Sequence, residues 1–467
     1  LEYISTRGEG DGLGFNDVLL AGLARDGGLY VPVSWPQFSD GEIAAMAGLS
    51  YEEVAFLVMR EFVGSDIPAD DLRALINEAY SSFTNPCVAP LVQLGSNEWL
   101  LELFHGPTYA FKDVAMQILA LLMDRALTER GERVTIAVAT SGDTGGAAIE
   151  AFKGRDAIDI FVLHPHGKVS DVQRRQMTTV DDANVHNIAL EGTFDDAQAI
   201  VKAMFNDGEL RDGLHLAGVN SINWGRIMAQ IVYYFTSAVA LGAPSRKVSF
   251  SVPTGNFGDI FAGYVAHKMG LPIEHLVIAT NSNDILARTF ESGRYEPLGV
   301  VATSSPSMDI QISSNFERLL FDLGGRDPER ITELMADLSN NGSFALNDDE
   351  RVAFGALFLA GRADEEETVK LITTLADEND YVADPHTAVG VAVARKIDAS
   401  STPMVVLSTA HPAKFPDVVE DAIKGTVAQP QSMIDQAVME ERYEVLANDV
   451  DVVAGFIKSH ARVRATV

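Results

Sequence analysis

Sulfur chemistry is almost absent from this chain. Its 467 residues hold one cysteine, Cys87, so no disulfide can close within it and no thiolate cluster can hold a metal. That fits a reducing compartment, and Cys87 itself reads as a small core residue. Basic residues are also scarce: 35 Lys and Arg stand against 66 Asp and Glu, a formal charge of -31. A surface of that sign repels phosphate backbones and anionic lipid, so neither nucleic acid nor a membrane is an expected partner. A small anionic ligand meets the same field, and a pocket for one must gather basic side chains and backbone N–H groups locally. Residues 1–12 carry Glu2, Arg7 and Glu9 and lack the apolar run of a secretion signal, which leads us to expect a cytoplasmic protein. One uncharged stretch, 227–245, approaches bilayer length. Gln230, Thr236, Ser237, Gly242 and Pro244 interrupt it, and it reads as a buried helix. There is no internal repeat, no low-complexity tract, no Walker-type Gly-Lys-Ser/Thr and no dinucleotide fingerprint.

What is present is an ordinary globular composition, 47% hydrophobic and 22% charged, in a chain long enough for two or three domains. Residues 1–95 read as a mainly helical N-terminal domain, with Ser50 and Glu53 spaced as a capping box and a second helix over 68–82. From Trp99 onward short apolar runs alternate with amphipathic segments, the pattern of parallel strands joined by crossover helices. Strands are expected at 99–104, 134–139, 158–163, 185–189, 248–252, 276–279 and 404–407, and helices at 113–130, 195–205, 226–241 and 387–396. The fold class is therefore α/β, read as one lobe over 96–245 and a second over 246–467. The acidic stretch 326–367, ending in Asp364, Glu365, Glu366 and Glu367, reads as a solvated helical insertion in the second lobe.

Four segments carry chemistry. Lys112 stands where the turn 105–111 gives way to an apolar-periodic helix containing Met116, Leu119, Leu122 and Met123. The positive helix end and burial beside Phe111 both lower an amine pKa there, toward the neutral form that Schiff-base chemistry needs. A surface lysine opening a helix would look the same in isolation. Ser141, Gly142, Asp143, Thr144, Gly145 and Gly146 follow the strand at 134–139 and precede an alanine-rich helix. Backbone N–H groups and two hydroxyls meet there, an anion site suited to an α-carboxylate, although a turn built only for tight packing fits too. Gly255, Asn256, Phe257 and Gly258 follow the strand at 248–252 in the same way and would let the backbone close around a phosphate. Thr409 and His411 lie just past the strand at 404–407, where open α/β sheets place their ligands. His411 is given no role.

Together with residues 3–8, 220–226, 305–310 and 314–318, these segments resemble the threonine synthase family over nearly the whole chain. The resemblance implies the second fold type of pyridoxal-phosphate enzymes: two parallel-sheet α/β lobes with the cofactor between them, plus the helical N-terminal domain. It implies that Lys112 carries pyridoxal 5'-phosphate as a Schiff base. It further implies that Gly255, Asn256, Phe257 and Gly258 hold the cofactor phosphate and that Thr409 faces the pyridine nitrogen. A hydroxyl there leaves that nitrogen less fully protonated than a carboxylate would. Ser141, Gly142, Asp143, Thr144, Asn223 and Arg226 are expected at the substrate. Many proteins of this fold type have Asn where this chain has Asp143, contacting the cofactor's phenolic oxygen; an ionised Asp143 would repel that oxygen, and Asn223 is its expected substitute. The implied reaction converts O-phospho-L-homoserine and water to L-threonine and phosphate, with Lys112 moving the protons. The basic candidates for the departing phosphate are Lys168, Arg174, Arg175, Arg226 and Lys414, with Arg226 first. The alternatives are a phosphoamino-acid phospho-lyase or serine/threonine dehydratase of the same fold, or a non-catalytic cofactor-binding protein. The family branch with a long N-terminal segment suggests a monomer.

Overall fold

Helices begin where the sequence supplies a cap. Ser50 accepts from the Glu53 N–H while the Glu53 carboxylate accepts from the Ser50 N–H, and the helix Tyr51–Val63 opens on that reciprocal pair. Asp384 caps Pro385–Lys396, where the proline occupies the first helical position and its missing N–H is not needed. In the computed structural model, which describes residues 1–9, 12–397 and 402–463, such helices cover two sheets. One has six strands, in the order Phe358–Arg362, Ile273–Thr280, Val248–Pro253, Met404–Ser408, Glu98–Glu102 and Leu91–Gln93; all pair in parallel except the last. The other has five parallel strands, in the order Glu444–Ala447, Val185–Glu191, Ile158–Pro165, Val134–Ala139 and Leu216–Ala217.

Strand alternation sorts the apolar residues between faces. Phe250, Val252, Leu276, Ile278, Val405 and Leu407 of the six-stranded sheet face a large central core, and Ile136, Val138, Ile160 and Val162 of the five-stranded sheet face the same core. The opposite faces are covered separately. Val277, Ala279, Met404 and Val406 pack under the helices Glu365–Asn379, Pro385–Lys396 and Pro416–Ile423, whereas Phe161, Leu163, Ile188 and Leu190 pack under Phe194–Asn206 and Val450–His460. Because both sheets share one core, the C-terminal ends of their strands meet: Asp143, past the strand Val134–Ala139, pairs with Lys414, past the strand Met404–Ser408.

Several expectations change. The lobe boundaries at 95 and 245 do not follow the sheets. Glu98–Glu102 belongs with the strands of the second lobe, and the C-terminal strand Glu444–Ala447 returns to the sheet of the first. The mainly helical N-terminal domain shares the central core, with Tyr3 and Phe62 packing edge-on against Trp224 at 5.8 and 5.6 Å inside the central cluster. Residues 326–367 are helical at Pro328–Asn341 and Asp348–Leu357, but Phe358–Arg362 is the edge strand of the six-stranded sheet. That strand has no β-branched residue and follows a helix without a break, so nothing local marks it. Cys87 is exposed, in a turn where its N–H donates to Asn85 Oδ1 at 2.9 Å. The uncharged stretch forms the buried helix Trp224–Ala240, packed on Tyr51–Val63, Lys112–Arg130 and Gly258–Lys268. Among the described residues no helix is long and apolar enough to cross a membrane.

Candidate active site

The turn before Lys112 is closed by its own side chains. Thr108 donates to the Asp113 carboxylate from both its N–H (2.8 Å) and its hydroxyl (2.7 Å), and a Cβ at Gly106 would lie 2.4 Å from Asp113 Cβ. The Phe111 N–H donates to Thr409 O at 2.8 Å and the His411 N–H to Tyr109 O at 3.0 Å, which pins the turn to the loop after Met404–Ser408. Lys112 then opens the helix Lys112–Arg130, 7% exposed. Its Nζ donates to Ser307 Oγ at 3.3 Å, stands 3.6 Å from Asp143 Oδ2 and lies 4.8 Å over the Phe111 ring. Burial lowers its pKa; Asp143 opposes this, and Lys414 and Arg226 add to it.

The 141–146 turn divides its tasks. Thr140 Oγ1 accepts from the N–H groups of Gly142 and Gly145, both at 2.9 Å, leaving those of Asp143 and Thr144 at the open end of the helix Asp143–Phe152. Gly142 has φ 147°, and a Cβ there would run into Gln173. Ser141 is exposed and Thr144 half-buried, and neither hydroxyl has a hydrogen-bond partner among the described residues. Asp143 itself does not face an anionic ligand, contrary to its expected place at the substrate. Its Oδ1 accepts from Lys414 Nζ (2.9 Å) and Gln173 Nε2 (2.8 Å), and its Oδ2 from the Ser307 hydroxyl (3.4 Å). Burial pushes its pKa up, but Lys414 and then Lys112 outweigh that and hold it well below the usual carboxylate range. A buried carboxylate repels a substrate carboxylate, which leaves the backbone N–H groups and hydroxyls of the turn as its candidate anion-binding groups.

The 255–258 loop is shaped by its neighbours. Ser313 Oγ donates to Gly255 O at 2.7 Å and the Asn315 N–H to Asn256 O at 3.1 Å. Phe257 has φ 63°, uncommon for a bulky side chain, and its ring is held 5.2 Å from Phe316 and 5.9 Å from Phe358. That strained residue turns the chain so that the first N–H groups of Gly258–Lys268 emerge at the loop, where a phosphate binds well. At Gly255 a Cβ would stand 2.8 Å from Ser307 O and 3.2 Å from Met308 Cα, both backbone atoms that cannot rotate away. Gly255→Ala is therefore expected to push the 305–310 segment outward and weaken pyridoxal phosphate binding about 10- to 100-fold in a spectrophotometric titration. An unchanged affinity would mean that the loop yields freely.

Asp259, beside this loop, is a buried carboxyl with a raised pKa. Its Oδ1 accepts from the Tyr233 and Tyr234 hydroxyls and its Oδ2 has no partner. Burial raises its pKa to about 6 against partial compensation from the two tyrosines. A raised acid contributes stability below its unfolded value of 3.8 and loses it as pH rises through about 6. Relative to Asp259→Asn, the unliganded protein should lose roughly 2 kcal/mol between pH 4 and 7, read from urea midpoints. A difference that does not vary with pH would contradict this.

Asn223 and Arg226, adjacent on one turn, separate in function. The Asn223 amide donates to Leu19 O (2.9 Å) and Gly218 O (3.4 Å), and its Oδ1 accepts from the Gly225 N–H (2.9 Å). Both amide hydrogens are spent on Leu19 O and Gly218 O and the side-chain oxygen on capping Trp224–Ala240, so the expected contact of Asn223 with substrate or phenolic oxygen is corrected to a structural one. Arg226 is 3% exposed, donates only to Val219 O at 3.3 Å, and its Nε has no partner. No carboxylate pairs with it among the described residues, and burial lowers its pKa to about 10. A buried guanidinium without a carboxylate partner, close enough to Lys112 to lower its pKa, is a candidate anion-binding group. The other phosphate candidates are occupied: Lys168 by Gly192 O, Arg174 by Glu441 and Asp171, Arg175 by Glu441 and Met439 O, Lys414 by Asp143.

Thr409 is 5% exposed, and its hydroxyl has no hydrogen-bond partner among the described residues. The residues present thus fit pyridoxal phosphate: a buried amine, a helix-end cradle too tight for a Cβ, a free hydroxyl and a free guanidinium. Sequence reasoning assigned no role to Ser307 or to His386. Nδ1 of His386 is 2.7 Å from Asp384 Oδ2, and its Nε2 accepts from the Ser307 N–H at 3.3 Å. Their only signals were membership of the 305–310 segment and a helix-start pattern at Asp384.

Comparison with known proteins identifies the family and the fold. The chain matches the family described as Threonine synthase N terminus over residues 2–80, Pyridoxal-phosphate dependent enzyme over 86–346 and Threonine synthase, C-terminal over 387–457. It is 53% identical to a threonine synthase of Pseudomonas aeruginosa over 98% of each chain, and 45% identical to one of Saccharomyces cerevisiae over 91% of this chain and 89% of that one. Among solved structures, the pyridoxal-phosphate-bound threonine synthase of Brucella melitensis superimposes with a TM-score of 0.97 at 57% identity over 99% of both chains. That of Escherichia coli does so with a TM-score of 0.84 at 31% identity over 98% of this chain and 100% of that one.

Proposed function

This chain belongs to the threonine synthase family of pyridoxal-phosphate-dependent enzymes, and we propose that it converts O-phospho-L-homoserine and water to L-threonine and phosphate at the cleft around Lys112. The observation that carries the reading is the pairing of a buried, proton-accepting lysine with a buried guanidinium that has no carboxylate of its own. The first suits chemistry at an α-carbon; the second suits a substrate bearing a phosphate.

In this reading Gly255, Asn256, Phe257 and Gly258 hold the cofactor phosphate at the helix end, and Thr409 places one hydroxyl at the pyridine nitrogen. The cofactor, when bound, supplies a carbonyl for amines to condense with and a conjugated ring that accepts the electrons released at Cα. Ser141, Thr144 and the N–H groups of their turn hold the substrate α-carboxylate. The Lys112 amine takes the protons from Cα and Cβ as the C–O bond at Cγ breaks, and Arg226 meets the charge on the departing phosphate. A proton returned to Cγ makes the methyl group. Water adds its hydroxyl at Cβ, and a proton returned to Cα completes the amino acid. Ser307, hydrogen-bonded to Nζ, keeps the amine in line between these steps.

A substrate panel tests the reading. Phosphate release from O-phospho-L-homoserine should exceed that from O-phospho-L-serine by at least about 100-fold in kcat/KM, with no turnover of serine or threonine. Preference for either hydroxy amino acid would point to a dehydratase instead.

A further inference from the structure

The reaction above gives Lys414 no task. Its ammonium is fully buried and taken up by protein partners. It rises from the turn Pro412–Lys414, donates to Thr108 O at 2.7 Å and pairs with Asp143 Oδ1 at 2.9 Å. Both partners border Lys112. Thr108 closes the lysine's own turn, and Asp143 Oδ2 stands 3.6 Å from Lys112 Nζ and accepts from Ser307 Oγ, itself 3.3 Å from that Nζ. One continuous set of contacts therefore links Lys414, Asp143, Ser307 and Lys112.

A carboxylate this deeply buried stays ionised only beside a fixed opposite charge. Lys112 is not fixed in that sense, because in the reading above its amine must shed its proton to condense and must be neutral again before it can accept one as a base. Lys414 has no such duties. We propose that Lys414 is a positioning residue: its buried ammonium holds the Asp143 carboxylate in place, and the carboxylate holds Lys112 Nζ directly and through the Ser307 hydroxyl. The proposal rests on Lys112 being the group that moves protons. The other charged or titratable groups around the set are Arg226, Asp113 behind the lysine turn, His411 on the turn of Lys414, and His386 with its partner Asp384.

Without Lys414, Asp143 becomes a lone buried carboxylate that must either take up a proton or draw Lys112 toward itself, and Lys112 is misplaced in both cases. With Asp143 already replaced by Asn, Lys414 keeps only its bond to Thr108 O and no longer has a carboxylate to hold, and its removal should matter little. The test compares Lys414→Met, Asp143→Asn and the double variant in the cofactor-loaded protein. It reads kcat and KM separately, together with the pH midpoint at which the absorbance of lysine-bound cofactor titrates. Lys414→Met should lower kcat about 30- to 100-fold with KM changed less than about threefold, and should move the midpoint by more than about half a pH unit. The double variant should fall within about threefold of Asp143→Asn in kcat. A Lys414→Met protein within threefold of the wild type, or a double variant at least tenfold slower than Asp143→Asn, would overturn the proposal. If Lys414→Met does not fold, the comparison of Asp143→Asn with the double variant decides alone, since the double variant leaves no unpaired charge. Borohydride trapping of cofactor on Lys112 in the wild type serves as the separate check. Its absence would remove the reading of Lys112, and the proposal with it.

Discussion

Lys112→Ala should lower kcat by at least about 10³-fold, because one side chain is asked both to bind the cofactor covalently and to move protons at two or three carbons. Loss of the general-base task alone accounts for about 10²- to 10⁴-fold, and covalent attachment adds to it. The variant should fold. Its missing ammonium leaves Asp143 paired with Lys414 at 2.9 Å and Gln173 at 2.8 Å, so no lone buried charge remains. Pyridoxal phosphate should still bind through the 255–258 loop but should no longer be trapped on the protein by borohydride. Residual activity within about tenfold of wild type would place the proton chemistry elsewhere.

Arg226→Met should separate catalysis from stability in opposite directions. The guanidinium is buried, lacks a carboxylate among the described residues, and has its pKa lowered by burial to about 10. A shift of that size corresponds to roughly 3 kcal/mol held against the folded protein in the unliganded state. Methionine of similar length removes that burden, and the unliganded variant should melt no lower than the wild type, with a gain of about 1–3 kcal/mol as the expected range. The same change removes the charge proposed to meet the departing phosphate, and kcat/KM for O-phospho-L-homoserine should fall about 10²- to 10³-fold. A variant that loses stability along with activity would show Arg226 to be structural. One that keeps its activity would move the phosphate site to another cation.

Local chemistry explains which parts of this account were legible beforehand. Lys112 stood out because a glycine- and proline-containing turn runs directly into an apolar-periodic helix, and the structure begins that helix at Lys112. The strands Val134–Ala139, Val248–Pro253 and Met404–Ser408 were legible as buried apolar runs, and the turns after them followed. Sheet membership was not, because the pattern of Glu98–Glu102 marks a strand without saying which neighbours it joins. Asn223 was misplaced because a cap and a ligand contact ask for the same polar side chain ahead of a helix, and only the positions of Leu19 O and Gly218 O decide between them. Asp143 looked unsuited to the site for want of Lys414, whose ammonium reaches it from a distant part of the chain. The left-handed backbone at Phe257 runs against the preference of its side chain and is imposed by Phe316 and Phe358.

The most direct test is identification of the amino acid formed when purified, cofactor-loaded protein turns over O-phospho-L-homoserine, with phosphate counted alongside. The account predicts L-threonine and phosphate in equal amounts, with one solvent oxygen in the threonine hydroxyl. Phosphate accompanied by 2-oxobutyrate and ammonia would show that the cleft expels phosphate without adding water at Cβ, and would contradict it.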